Sequence, residues 1–294
     1  MSIEESENFS AETLKKSYSS PRTIFNIAMT IVAGSCLAIT LLPLFAVLYY
    51  VTIQGFSRLD FDLLTKLPPP PGLSGGGIAN AILGTIITVG IATVISVPFG
   101  VLAAVYLSEF SGGKTAQSIR FATNVLSGVP SIISGIFAYA ILVVTTGTFS
   151  AVAGGIALAV LMLPTIVRTT DEALQIVPQD IRWASVGVGA SNYQTVLRVV
   201  LPAALPAILT GVTLAIARAA GETAPLIFTA LNSPFWPKGL WNPTPSLSVL
   251  VYNFATVPFA AQKELAWAAS LILVLLVLLT SILSRWATRQ KVYS

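Results

Sequence analysis

Residues 121–167 carry no charged side chain. A helix rising 1.5 Å per residue crosses the roughly 30 Å hydrocarbon core of a membrane in about 20 residues. The stretch is therefore too long for one crossing, and the cluster Thr145-Thr146-Gly147-Thr148 supplies a turn between two. The spans expected there are 121–144 and 149–167. The same reasoning along the chain gives 24–51, 78–107, 205–231 and 265–283, so the fold class is an all-α membrane protein with six transmembrane helices. The second span contains Pro98-Phe99-Gly100, a site for a kink or tilt. Composition agrees, with 54% hydrophobic residues, only 10% charged and a mean hydropathy of +0.81. A soluble domain of 294 residues needs a far more charged surface.

Basic residues at the span ends set the orientation. Lys15, Lys16, Arg22, Lys114, Arg120, Arg168, Arg182, Arg198, Arg285, Arg289 and Lys291 share one side of a six-span chain, against Arg58, Lys66, Lys238 and Lys263 on the other. Both termini are thus expected in the cytoplasm of a bacterial inner membrane. Residues 1–23, rich in Ser and Glu at the start, are expected to be a mobile cytoplasmic tail and 286–294 a second short tail. The first apolar run is longer than the roughly 7–15 residues of a signal-peptide core and reads as a retained helix. On the outer side, Pro68-Pro69-Pro70-Pro71 predicts a stiff polyproline segment. Residues 232–264, with Trp236, Trp241 and several prolines, read as an ordered outer loop that could dock a binding protein.

Much chemistry is excluded by residue type. With one cysteine, Cys36, and no histidine, the chain has no internal disulfide, no Cys/His zinc site and no Ser-His-Asp triad. No metal, cofactor or catalytic residue is predicted. The cations sit at span ends rather than interleaved with aromatics, so no nucleic-acid partner is expected. The stretch Ser108 to Thr115 ends in Gly113-Lys114-Thr115 but has Ser108 where a phosphate-binding loop requires its first glycine, and it lacks the strand-to-helix setting. Any ATP hydrolysis must come from another chain.

The long charged interruption, residues 168–202, lies between the fourth and fifth spans on the cytoplasmic side. Thr169 and Glu172 have capping-box spacing and predict the start of a short helix ending near Pro178. Gln179–Val188 has a helical pattern, Gly187 and Gly189 offer a stop and a turn, and Ser191 with Gln194 predicts a further start leading into the fifth span. Within this loop Gly189 is followed by nine residues and then Val199-Val200-Leu201-Pro202, and it is preceded by Trp183, Ala184 and Ser185. The spacing resembles the cytoplasmic loop of ATP-binding-cassette (ABC) importer permeases: Glu-Ala-Ala, three residues, Gly, nine residues, Ile, any residue, Leu-Pro. Trp183 and Ser185 stand where that pattern has Glu and its second Ala. The resemblance implies that Trp183, Ala184, Ser185, Gly189, Leu201 and Pro202 form a coupling loop that fits a separate ATPase subunit.

The fifth span contains Arg218 and Glu222, four residues apart and so on one helix face. A charge at the centre of a membrane costs roughly 2.5–3.5 kcal/mol on insertion scales, so such groups face a bundle interior or an aqueous path. The pair reads either as a structural ion pair or as an anion path, in which the guanidinium forks to phosphate oxygens. Gly221 and Pro225 mark a break in the helix. The run Arg218-Ala219-Ala220-Gly221-Glu222-Thr223-Ala224-Pro225-Leu226, together with Gly128-Val129-Pro130-Ser131-Ile132-Ile133-Ser134-Gly135, is similar to the phosphate importer permeases, and to the A-type of their two permease kinds. That resemblance implies transport of phosphate, a companion permease of PstC type, an ATPase dimer of PstB type and a phosphate-binding protein of PstS type. Arg168, at the cytoplasmic end of the fourth span, is explained by topology, with a role in anion exit left open. Alternatives are an ABC importer permease for sulfate, molybdate or an amino acid, and an ATP-independent channel or membrane scaffold.

Overall fold

The computed structural model describes residues 20–110 and 113–289, and it groups residues 1–52 and 53–294 as two compact units. The described part of the first unit is the body of α1 (Pro21–Phe56). Its apolar side chains, Phe25, Ile39 and Phe45 among them, are exposed. The hydroxyls of Thr30, Thr40 and Thr52 bond back to carbonyls of their own helix at 2.7, 2.9 and 2.7 Å, leaving no unpaired side-chain donor at these positions. Residues 1–19 of the expected tail lie outside the described residues, while residues 21–23 already belong to α1.

The second unit continues through α2 (Phe61–Thr65) and α3 (Ala79–Val105), which ends in a π turn, Tyr106–Phe110. Next come α4 (Lys114–Ser127), α5 (Ser131–Ala138), a π turn over Tyr139–Val143 and the single turn α6 (Val144–Thr146). α7 (Ala151–Gln175), α8 (Gln179–Gly187) and α9 (Asn192–Thr195) follow. A π turn over Val196–Val200 joins α9 to α10 (Leu201–Gly221), and α11 (Ala224–Thr229), α12 (Leu247–Thr256) and α13 (Ala260–Arg289) complete the unit. No strand occurs among the described residues. Five helices are long and apolar enough to cross a membrane, or six if the pair 114–127 and 131–146 counts as one.

The core is built by α3, α7 and α10, with Ala92, Leu158, Met162, Ile166, Ile208 and Val212 buried among them. Small residues let the backbones approach, as membrane helices require in the absence of a strong hydrophobic drive. A Cβ at Gly155 would stand 2.5 Å from Ile91 Cγ2, and one at Gly100 would stand 2.7 Å from Ile166 Cγ2. A second cluster joins α2, α3, α12 and α13 through Leu63, Ile78, Leu247, Leu250 and Leu265.

Several expectations need correction. Where the sequence predicts one span over 121–144, the chain bends by 103° between α4 and α5. Pro130 lacks an N–H and disfavours helical geometry in the residue before it, so Gly128-Val129-Pro130 breaks the helix. The predicted helix start at Thr169 does not occur. α7 runs through it to Gln175, Thr169 Oγ1 donates to Thr165 O at 2.9 Å, and buried Thr170, Ala173 and Leu174 carry the packing onward. The fifth span, 205–231, is interrupted between Gly221 and Ala224, within the break that Gly221 and Pro225 mark in the sequence. The outer loop 232–264 contains α12, whose first four residues are buried. Its apolar side chains pack on α3 and α13, which a count of long charge-free runs does not detect. α3 continues through Pro98. The expected tail 286–294 begins as the last turn of α13, and residues 290–294 lie outside the described residues.

Candidate functional site

The interruption after α10 is a built feature. Glu222 leaves helical geometry at φ −70° and ψ 127°, and its N–H bonds to Ala219 O at 3.2 Å. α11 then starts with Pro225 in its first turn, where a missing N–H costs nothing. Two neighbours hold the break. Buried Ser248, on α12, donates to Glu222 O at 2.8 Å. On the other side Gly135 of α5 approaches so closely that a Cβ there would lie 2.6 Å from Pro225 Cα.

Arg218 occupies the last turn of α10, where the negative end of the helix dipole favours a cation. Its Nε lies 3.5 Å from Glu222 Oε1, with the arginine side chain 63% exposed and the glutamate 17%. Its place along α7 follows from the antiparallel pairing of α7 with α10 and the α11 segment that continues it. Gly154 meets Leu226 and Ala230 at one end, and Thr169 packs on Gly211 at the other. Arg218 and Glu222 share a void of about 10 Å³ with Leu161, Met162 and Thr165, which lie near the middle of the 25-residue α7. The guanidinium therefore stands beside the middle of α7, whose charged end, residues 168–175, continues past the apolar run, and it is turned away from this chain's own core.

Arg168 lies apart from this pair. The register that sets Thr169 against Gly211 puts Arg168 about 9 Å from Arg218 along the helix axes, at 1.5 Å per residue. Arg168 Nε pairs with Glu172 Oε1 at 3.0 Å, both side chains exposed. It borders a cavity of about 350 Å³ that also takes in Arg120, Asp171 and Glu172. Arg120 reaches Asp171 Oδ2 at 3.6 Å and Leu107 O at 3.3 Å.

The residues of the 168–202 loop singled out by spacing fall on two elements and the turn between them. Trp183, Ala184 and Ser185 are on α8, and Gly189 forms the turn after it. Gly189 adopts φ +94° with open space around its Cα, so conformation rather than room calls for glycine. Ala190 N–H bonds to Ser185 O at 3.1 Å, closing the turn. Ser191 then makes a full capping box with Gln194. Leu201 and Pro202 open α10, where Leu201 packs on the core and Pro202 is exposed. Trp183 is 69% exposed, next to exposed Ile181, Val186 and Val188.

One feature had no signal in the sequence. Arg182 Nη1 pairs with Glu109 Oε2 across 73 positions, and Arg182 Nη2 donates to Leu174 O at 2.7 Å. The two side chains are 13% and 8% exposed. Removing one partner of a buried pair costs about 3–5 kcal/mol because the other charge is left uncompensated.

The family described as binding-protein-dependent transport system inner membrane component matches residues 96–291. A protein of Yersinia pestis called phosphate transport system permease protein PstA is 42% identical over 241 residues, 81% of each chain. One of the same name from Haemophilus influenzae is 41% identical over 240 residues, 81% of this chain and 85% of that one. Phosphate transport system permease protein PstA 1 of Mycobacterium tuberculosis is 34% identical over 261 residues, 87% of this chain and 86% of that one. Among solved structures, the inward-facing MetNI methionine ABC transporter gives a TM-score of 0.58 at 23% identity, covering 73% of this chain and 94% of that one. A bacterial alginate ABC transporter in complex with an alginate-bound periplasmic protein gives 0.65 at 12% identity, covering 93% and 99%. These two likenesses show the fold, and the sequence relatives show the family. The chain is a multi-pass inner-membrane permease subunit that belongs to the binding-protein-dependent transport system family, among its phosphate transport permeases of the PstA kind.

Proposed function

We propose that this chain forms half of the translocation path of an ATP-driven phosphate importer, with ATP hydrolysed on a separate subunit. The observation that carries the reading is Arg218, a permanent charge level with the middle of α7, exposed on this chain and seated at a helix break. A guanidinium forks to phosphate oxygens, and Glu222 holds it when no anion is present. Gly221 and Pro225 supply the break that lets the pair stand at a helix end. A companion permease of PstC type completes the path on the exposed side of Arg218. A phosphate-binding protein of PstS type delivers the anion from outside. Arg168, about two turns nearer the cytoplasmic end, receives it on exit.

The turn built by Trp183, Ala184, Ser185 and Gly189 is the surface that an ATPase dimer of PstB type grips, and Leu201 and Pro202 carry its displacement into α10. A rigid helix that continues into a span transmits such a movement. Both termini then face the cytoplasm, the side that the distribution of basic residues favours. The test is uptake of labelled phosphate by proteoliposomes holding the complete complex, with ATP inside. ATP-dependent uptake that unlabelled phosphate suppresses and sulfate does not is the expected result. Uptake of sulfate, molybdate or an amino acid in its place would overturn the assignment of cargo.

A further inference from the structure

α8 has no buried residue, and Ile181, Trp183 and Val186 all face outward. Hydrophobic packing therefore does not fix its position against the spans. Its side-chain ties are the Ser185 to Thr195 hydroxyl contact at 3.0 Å and Arg182, whose guanidinium meets Glu109 at the end of α3 and Leu174 O in α7. Glu109 sits in the π turn Tyr106–Phe110 and is further contacted by Ser108 Oγ at 3.4 Å. This ion pair is more enclosed than Arg120–Asp171, Arg168–Glu172 or Arg218–Glu222.

We infer that Arg182 is a positioning residue that ties α8 to the cytoplasmic ends of α3 and α7. A push on α8 then reaches two further spans sideways, in addition to the route along the chain through α9 into α10. The tie stays closed throughout the transport cycle, because opening it would strand two charges in a largely enclosed setting. α8, the end of α3 and the end of α7 move as one body. The inference rests on the reading of α8 as the element gripped by the ATPase.

The test uses the complete complex in proteoliposomes and reads three quantities: subunit assembly, ATP hydrolysis, and phosphate taken up per ATP hydrolysed. Arg182→Gln and Glu109→Gln are each expected to assemble and hydrolyse ATP while uptake per ATP falls at least tenfold. The exchange Glu109→Arg with Arg182→Glu is expected to recover part of that loss. Uptake per ATP equal to the unaltered complex in both single variants would overturn the inference. Absence of phosphate uptake by the unaltered complex would instead strike the functional reading.

Should a substitution prevent assembly, a second arm decides. With Cys36→Ala removing the native thiol, Glu109→Cys and Arg182→Cys are bridged by a short bis-methanethiosulfonate reagent, which releases methanesulfinate and leaves disulfide links that a reductant cleaves. A contact that stays closed predicts that the bridged complex retains uptake. Arrest on bridging, relieved by reduction, would overturn it.

Discussion

Gly135 of α5 lies against Pro225 of α11, with space for a hydrogen but not for a methyl group between the two backbones. The break that presents Arg218 and Glu222 is thus supported by a helix that follows a break of its own, at Pro130. Gly135→Ala must push α5 from α11 against backbone atoms that cannot rotate aside. Overpacking of this kind costs about 1–3 kcal/mol. The melting temperature of the purified complex is expected to fall, and phosphate uptake with it. An unchanged melting temperature would mean that α5 and α11 part freely.

Ser248→Ala removes the donor to Glu222 O without adding bulk. The bond is partly buried, so the expected loss is about 1 kcal/mol. Denaturant titration of the purified complex measures it. An unchanged midpoint in Ser248→Ala would show that the bond contributes nothing.

Gly189→Val forces a branched residue to φ +94°, where left-handed geometry costs an L-residue roughly 1–2 kcal/mol. The chain should insert normally, because no neighbouring atom is displaced, yet the turn after α8 should distort. Reduced co-purification of the ATPase or reduced coupled hydrolysis is expected, with Gly189→Asn less affected. Wild-type coupling in the valine variant would remove the turn from the ATPase contact.

Arg218→Gln keeps polarity and much of the length while removing the charge. Phosphate uptake per assembled complex is expected to fall at least tenfold. Glu222→Gln separates two roles. If the glutamate positions the arginine, uptake falls while assembly survives. If the pair only holds the fold, both variants lose assembly and thermal stability together. Full uptake by assembled Arg218→Gln would end the anion-path reading.

Much of this architecture could be read from charge alone. Lipid admits few ionised side chains, so Ile78–Leu107, which carries none, marks α3 to within about two residues, and Leu265–Leu283 marks the interior of α13, which runs from Ala260 to Arg289. Local turn chemistry was equally visible. Gly147, Gly189 and the Ser191–Gln194 box perform as their residue types require, because each depends on atoms within a few positions. The same local logic failed at Thr169. Its hydroxyl could cap a new helix or bond back to Thr165, and buried Thr170 and Leu174 favour continuation of the old one.

The sequence by itself determined that the chain enters a membrane, which long stretches carry no charge, that one arginine and one glutamate stand four residues apart beside a break among them, and where the turn at Gly189 lies. Each of these follows from hydration cost or from the backbone preference of a residue and its near neighbours. Only the tertiary structure decided that Glu109 meets Arg182, that Gly135 and Ser248 grip the break beside Arg218, and that the first turn of α12 is buried. Those contacts join positions far apart in the chain. Their energies depend on which small residues let two helices close together, and helix pairing creates that property after the local structure has formed.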